Sequence, residues 1–188
     1  MRGRPFDPLH LDIRAFADRS AVLEGELELT RLLRLSASAH AGAPPGADEK
    51  LSWRASGEMR SARGAAAQPW LALNAEAIVR LTCQRCLQAV EVPLQVDAEF
   101  RFVADEVLAA ELDVDAEEDL LVESRAFNLQ LLIEDEMLLA LPLVPRHSPD
   151  CPQPLLAPAD PEAAAIELDP GDQPFAALAG LKWRKAPD

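Results

Sequence analysis

Two cysteines separated by two residues, Cys83 and Cys86, are the most chemically distinctive feature of the sequence. They lie in the stretch LTCQRCLQAVEV, residues 81–92. A Cys-x-x-Cys pair is compatible with a metal knuckle, with a redox-active dithiol, or with two small apolar residues in a hairpin. The segments on both sides of the pair bear on these three interpretations.

The flanking segments predict β-strands, which disfavours the redox interpretation. A thioredoxin-type pair lies at a helix N-terminus, where the helix dipole lowers the pKa of a thiol. Here apolar and polar residues alternate before the pair and again after it, in 87–103. Residues 83–86 are therefore expected at the tip of a β-hairpin, a setting in which zinc knuckles and ribbons carry this motif.

A structural zinc site needs four thiolate or imidazole ligands, and the only candidates for a second pair are His147 and Cys151. Together with Cys83 and Cys86 they would form a closed Cys3His site that joins the hairpin to the end of a helix. The two pairs are about 60 residues apart, farther than in local zinc fingers. The alternative stays open that the cysteines pack as small hydrophobic residues beside an exposed histidine.

Patterns for catalysis are missing from the sequence. His10 and His40 lie in segments without a candidate nucleophile, and the chain has no glycine-rich phosphate loop, no Gly-x-Ser-x-Gly motif and no tyrosine. Its carboxylates occur in blocks, which are typical of a solvated face rather than of an acid–base pair. The sequence predicts a protein that is not an enzyme and has no small-molecule substrate.

The elements that position these residues are predicted to be mostly strands. The first hundred residues carry several strand patterns, including one over 70–83 whose alternation shifts phase near 76–78. A further strand over 87–103 contains Pro93, which cannot donate to a ladder and indicates an edge or a bulge.

Residues 128–141 predict the principal helix. Asn128 is a suitable N-cap and Pro142 stops the pattern. Apolar residues recur at helical spacing at Leu129, Leu132, Ile133, Met137, Ala140 and Leu141. The polar edge is predicted at Gln130, Glu134 and Asp135, with Glu136 close to the apolar stripe.

Length and composition fit one α+β domain over 1–149, built on an antiparallel, partly closed β-sheet. Residues 150–172 contain five prolines and six acids, without Lys or Arg, which predicts an acidic, proline-rich linker over 150–173 and an extended tail. Residues 174–188 are predicted to be a short docking segment.

No apolar run suits a membrane span or a signal peptide, and the cysteine count is odd. The sequence therefore predicts a cytoplasmic protein with reduced thiols and no membrane partner.

The net charge of −14 is unevenly distributed. Residues 1–86 carry 12 Lys or Arg and 10 Asp or Glu, whereas residues 87–188 carry 6 and 22. An acidic second half repels phosphate backbones and attracts basic proteins, although a solvated surface that maintains solubility is the alternative.

Three landmarks occur in order along the chain: LTCQRCLQAVEVPL, LLIEDEMLLALPLVPRHSPDC and PFAALAGLKWRK. They resemble the Cys-x-Arg-Cys hairpin of the YceD family, its Glu-Asp-Glu helix ending in Leu-Pro-x-x-Pro, and its closing Pro-Phe-Ala-x-Leu-x-x-Leu-Lys. Some relatives carry additional cysteines after the Leu-Pro-x-x-Pro segment, like a full zinc ribbon. Only His147 and Cys151 occur there in this chain, and the resemblance makes zinc the candidate cofactor for them together with Cys83 and Cys86.

The resemblance implies a ribosome biogenesis factor needed for synthesis, processing or stability of the 23S, large-subunit ribosomal RNA. Its partner is expected to be either the precursor of that RNA or a basic ribosomal protein held by the acidic half. The candidate RNA contacts are Arg80, Arg85, Lys182, Trp183, Arg184 and Lys185. A thiol-based or zinc-based sensor or interaction module is the alternative function.

Overall fold

The structure of the chain, a computed structural model, describes residues 6–61, 66–112, 116 and 118–152. The elements in these ranges are α1 (Ile13–Asp18), β1 (Val22–Glu28), a 3-10 helix (Leu29–Arg31), α2 (Leu33–Ala37), β2 (Lys50–Arg60), β3 (Gln68–Thr82), β4 (Ala89–Val103), α3 (Glu106–Leu112), β5 (Asp119–Val122) and α4 (Leu129–Leu139). Beyond Pro152, the predicted linker and the predicted docking segment 174–188 lie outside the described residues.

The five described strands form one sheet in the order β1-β2-β3-β4-β5. The first four are antiparallel to their neighbours, but β5 runs parallel to β4. The α+β class is consistent with this architecture, whereas the antiparallel, partly closed sheet was a wrong prediction, because the sheet is mixed and open. The chain leaves β4 at Val103, and β5 begins beside Phe100, so the chain crosses back along β4 before it pairs, as a parallel strand requires. The described part of this crossover contains α3.

β3 and β4 form a long hairpin whose register extends from the pair Trp70–Arg101 to the pair Thr82–Ala89. The predicted phase shift in β3 is wrong, because burial alternates without interruption from Leu71 to Leu81. The shift was inferred because Ile78 is apolar, yet this side chain lies on the open face of the sheet, opposite Pro93.

Pro93 lies on a stretch of β4 that pairs with β3 on one side only, an edge position of the kind its missing N–H predicts. Among the described residues β5 pairs with β4 only from Phe100 to Val103. The outer edge of β4 at Pro93 is therefore free of a neighbouring strand, and the sheet loses no ladder hydrogen bond there.

The hydrophobic core lies on one face of the sheet, where α1 contacts β2 and β3, and α4 contacts β3 and β4. Gly57 of β2 permits the close approach of α1, since a Cβ atom there would lie 2.5 Å from the ring of Phe16. The largest fully buried side chains are Phe16, Phe100, Phe102, Leu11, Ile13, Leu51, Leu71, Leu73, Leu129, Ile133, Met137 and Val103.

Helix α4 confirms the prediction of a principal helix and is the longest in the described part of the chain. The Asn128 side chain accepts a hydrogen bond from the N–H of Leu131 at 3.2 Å and caps the N-terminus. Leu129, Leu132, Ile133 and Met137 are buried, as the spacing predicts. None of the helices in the described ranges is long and apolar enough to cross a membrane.

Glu134 departs from its predicted position on the polar edge of α4, because it is buried. Its carboxylate accepts hydrogen bonds from the backbone N–H groups of Arg34 and Leu35, at 2.8 and 3.3 Å, and from the Arg34 guanidinium at 3.0 Å. These N–H groups belong to the first turn of α2 and have no partner within the helix. A buried acid of α4 thus caps a helix that lies about 100 residues earlier in the chain.

Candidate metal centre

The two cysteines of the Cys-x-x-Cys pair lie at the tip of the β3–β4 hairpin, as predicted. The Cys83 N–H donates to the carbonyl of Gln88, and the Leu87 N–H donates to the carbonyl of Cys83, each at 2.9 Å. Leu87 adopts a positive φ of 61°, which allows the loop to reverse direction within six residues. This loop, residues 83–88, is called the knuckle below.

The segment after α4 returns to the knuckle and brings the second pair of candidate ligands with it. The N–H of Gln84 donates to the carbonyl of Pro145 at 2.9 Å. This contact fixes the segment beside the hairpin just before His147. Cys151, four residues farther along, is buried against the knuckle.

All four predicted ligands converge: one donor atom from each of Cys83, Cys86, His147 and Cys151 lies within 4.8 Å of the other three. The Sγ atoms of Cys83 and Cys151 are 3.7 Å apart, and the Sγ of Cys86 is 3.5 Å from Nδ1 of His147. A tetrahedral zinc ion with its usual bond lengths separates two sulfurs by roughly 3.8 Å and a sulfur and a nitrogen by roughly 3.6 Å. The donor set and its spacing therefore fit a zinc ion.

A second contact orients the imidazole of His147. Its Nε2 lies 3.1 Å from the backbone carbonyl of Ala89, the first residue of β4. Since a carbonyl only accepts, Nε2 donates to it, and in the neutral imidazole Nδ1, which faces Cys86, is then the nitrogen free to bind a metal. Metal-binding histidines are commonly held in the required tautomer by this type of contact.

The electrostatics of the knuckle favour a thiolate at Cys83. Burial alone raises the pKa of Cys83. The backbone N–H groups of Arg85, Cys86 and His147, together with the His147 imidazole, outweigh this effect and lower the pKa of the Cys83 thiol to about 5. At Cys86, burial raises the pKa, and the sulfurs of Cys151 and Cys83 raise it further. A cation at the centre would relieve this crowding of negative charge.

A comparison with known families bears on this site. The family model for the large ribosomal RNA subunit accumulation protein YceD matches residues 71–182, more than half of the chain. The chain belongs to the YceD family. The matched range extends from within β3 past α4 and includes all four candidate ligands. No curated protein and no solved structure matches the chain.

In this YceD-family chain, the two described residues that were predicted to contact RNA are engaged in internal contacts. Arg80 hydrogen-bonds to the carboxylate of Glu49 and, at 3.1 Å, to the carbonyl of Pro44. Arg85 donates from Nε to the Sγ of Cys151 at 3.1 Å and from Nη2 to Asp150 at 3.4 Å. The other four candidates, Lys182, Trp183, Arg184 and Lys185, lie outside the described residues.

Two supporting contacts of the YceD-family knuckle were not predicted. Nε2 of His40 lies 3.2 Å from the carbonyl of Leu87, and the N–H of His40 donates to the carbonyl of Arg80. His40 belongs to a loop of small residues, glycines and prolines, where no periodicity indicates which β-strand it will face. The Ala89 carbonyl is a backbone group and has no signal in the sequence.

Proposed function

We propose that this chain is a cytoplasmic, non-catalytic factor of large-subunit biogenesis that supports synthesis, processing or stability of 23S ribosomal RNA. Membership in a family described by large ribosomal RNA subunit accumulation carries the proposal. The candidate metal centre supports a non-catalytic role, since its four protein donors would fill a tetrahedral site. Catalytic zinc sites retain an open position for water or substrate.

Within this function, Cys83, Cys86, His147 and Cys151 hold one structural zinc ion. The ion would supply folding free energy, because the four ligands converge only in the folded chain. It would fasten the β3–β4 hairpin to the segment that follows α4. The knuckle and this segment then present one rigid surface to a partner.

The described surface favours a basic ribosomal protein as the direct partner. Cations on the open face of the sheet and at its margins are paired with acids: Lys50 with Glu26, Arg54 with Glu24, Arg60 with Glu99, Arg80 with Glu49 and Arg101 with Glu118. Phosphate binding would require these cations to exchange one anion for another, which weakens the gain from counterion release. The RNA precursor is the competing partner, with 182–185 as its candidate contact.

A thiol sensor, the alternative function, is disfavoured by burial. All three cysteine side chains are buried, whereas sensor cysteines are accessible to the oxidant. The internal position of these thiols suits metal binding better than reaction with a reagent in solution.

The partner is tested by affinity purification of the full chain from cells, with sequencing of bound RNA and mass spectrometry of bound proteins. A basic large-subunit protein should remain bound after nuclease digestion and should dissociate as salt is raised. Recovery of 23S precursor fragments that crosslink to the chain, with no ribosomal protein after digestion, would favour the RNA. Recovery of neither would contradict the proposed function.

The metal is tested by elemental analysis of protein purified without a polyhistidine tag. About one zinc per chain is expected for the wild type, from the four-ligand site. Cys83→Ser and His147→Gln should lose the metal. His10→Gln is the matched control, because His10 is exposed and its only hydrogen-bond partner among the described residues is Asp7. A folded wild-type protein without metal would refute the zinc site.

A further inference from the structure

We propose that Arg85 is a component of the metal centre rather than a contact for RNA. Its guanidinium would offset the negative charge of the ligand set by donating a hydrogen bond to the sulfur of Cys151. This inference rests on the proposed zinc site. It assigns a role to the residue between the two cysteines of the knuckle.

The geometry ties the guanidinium to the ligand set. Nε of Arg85 donates to the Sγ of Cys151 at 3.1 Å, and Nη2 lies 3.4 Å from a carboxylate oxygen of Asp150. The two acceptors are adjacent in the chain, so the planar guanidinium spans them with two donors. Arg85 therefore provides a link between the knuckle and the segment that carries His147 and Cys151, separate from the link that a metal ion would provide.

The charge of the ligand set explains why a cation is needed there. Three thiolates and a neutral imidazole around a zinc ion carry a net charge of −1. Cys151 is buried, and negative charge in a poorly solvated place is unfavourable unless it is paired. The Arg85 guanidinium brings the sum to zero. The Asp150 side chain is 88% exposed, so water screens its opposing charge.

Arg146 provides an internal comparison. It is next to His147 in the chain and carries the same charge as Arg85, but it makes no hydrogen bond or ion pair to another group in the described part of the chain. If positive charge near the knuckle were all that mattered, both arginines would affect zinc binding. If the hydrogen bond to Cys151 matters, only Arg85 would affect it.

Hydrogen bonds to metal ligands typically change metal affinity by 10-fold to 100-fold. Arg85→Gln should therefore weaken zinc binding by about 10-fold to 100-fold, because glutamine removes the charge. Arg85→Lys should lose less, because it retains the charge in a different shape. Arg146→Gln, the charge-matched control, should bind zinc as tightly as the wild type.

The experiment is a zinc competition titration of the full-length chain against a chromophoric chelator, for the wild type and these three variants. Circular dichroism of the zinc-loaded proteins shows that each is folded. Cobalt substitution adds a readout that a purely structural role would not change. Loss of a hydrogen bond to a thiolate sulfur should move the sulfur-to-cobalt charge-transfer band to lower energy in Arg85→Gln but not in Arg146→Gln.

The outcomes separate this inference from the zinc site itself. If the wild type takes up no zinc or cobalt, the site is refuted and the inference with it. If the wild type binds zinc and Arg85→Gln binds equally well, only the inference is overturned. An equal loss of zinc affinity in Arg85→Gln and Arg85→Lys would also overturn the inference, because lysine retains the positive charge. An equal loss in Arg85→Gln and Arg146→Gln would overturn it as well, because Arg146 makes no hydrogen bond to Cys151 in the described part of the chain.

Discussion

The sulfur atoms of Cys83 and Cys151 lie 3.7 Å apart, although 68 positions separate these residues in the chain. A disulfide would require roughly 2.05 Å, so the two are free cysteines held in proximity rather than a covalent link. A zinc ion between them would close a long loop, and its binding free energy would then contribute directly to folding.

Removal of the metal should therefore lower the melting temperature of the wild-type protein. Zinc binds the convergent ligands of the native state in preference to the unfolded chain, so it stabilises the fold by mass action. Calorimetry with and without a chelator measures the shift. Cys83→Ser should melt at the same temperature in both conditions. A zinc-loaded wild type that is insensitive to the chelator would contradict this prediction.

Shortening a side chain on the buried face of α4 should destabilise the protein. Leu132 is 9% exposed, whereas Leu139 in the same helix is 77% exposed. Leu132→Ala should lower the free energy of unfolding by roughly 2 to 5 kcal/mol, and Leu139→Ala by less than about 0.5 kcal/mol. Urea titrations measure both. Similar losses for the two variants would show that the buried face of α4 is wrongly placed.

The cap that Glu134 provides to α2 should contribute more than the neighbouring surface ion pair. Glu134→Ala leaves the N–H groups of Arg34 and Leu35 without their acceptor, and should cost roughly 2 to 3 kcal/mol of unfolding free energy. Asp135 bonds the same arginine at 2.5 Å, but its side chain is half exposed. Asp135→Ala should cost less than about 1 kcal/mol. Chemical denaturation distinguishes the two, and a larger loss at Asp135 would refute the capping role.

Replacement of Leu87, whose φ is positive, by glycine should stabilise the folded protein. A left-handed backbone costs a residue with a Cβ atom roughly 1 to 2 kcal/mol, and glycine avoids that cost. The side chain is 60% exposed, so little burial is lost on its removal. Leu87→Gly should raise the unfolding free energy by about 0.5 to 1 kcal/mol. Leu87→Ala retains the Cβ and should give no gain; an equal gain from both variants would argue against relief of backbone strain.

Glu136 should make stability depend on pH. Burial raises its pKa, and the carboxylates of Asp119 and Asp135 raise it further. The folded state therefore binds this proton more tightly than the unfolded state, in which the pKa is about 4.3. The stability linked to Glu136 is greatest below that value and falls as the pH rises through the folded pKa.

Glu136→Gln should accordingly melt at a higher temperature than the wild type at neutral pH, and the difference should vanish in acid. Glu91→Gln is the control, because Glu91 is exposed on the open face of the sheet. Melting curves of the three proteins across the acid range measure the effect. A difference between Glu136→Gln and the wild type that does not change with pH would show that the carboxyl is not perturbed.

The burial of Glu134 shows why sequence patterns mispredict some polar residues. The helical spacing of α4 identifies its apolar positions from local order alone, and those positions are buried. Glu134 lies beside them and is charged, so the pattern assigns it to solvent. Its burial depends on a guanidinium and two N–H groups supplied by α2, about 100 residues away, and no local pattern includes them.

The sequence by itself determined the α4 helix, the β3–β4 hairpin with the Cys-x-x-Cys pair at its tip, the free edge at Pro93 and the family. These features depend on side-chain periodicity, on the missing N–H of proline and on motifs in sequence order, all of which are local properties. Only the tertiary structure decided that β5 is parallel to β4, that Arg85 contacts a cysteine and that His147 and Cys151 meet the knuckle. Each of these depends on how a connecting segment returns to the sheet, which is set by packing between elements distant in sequence.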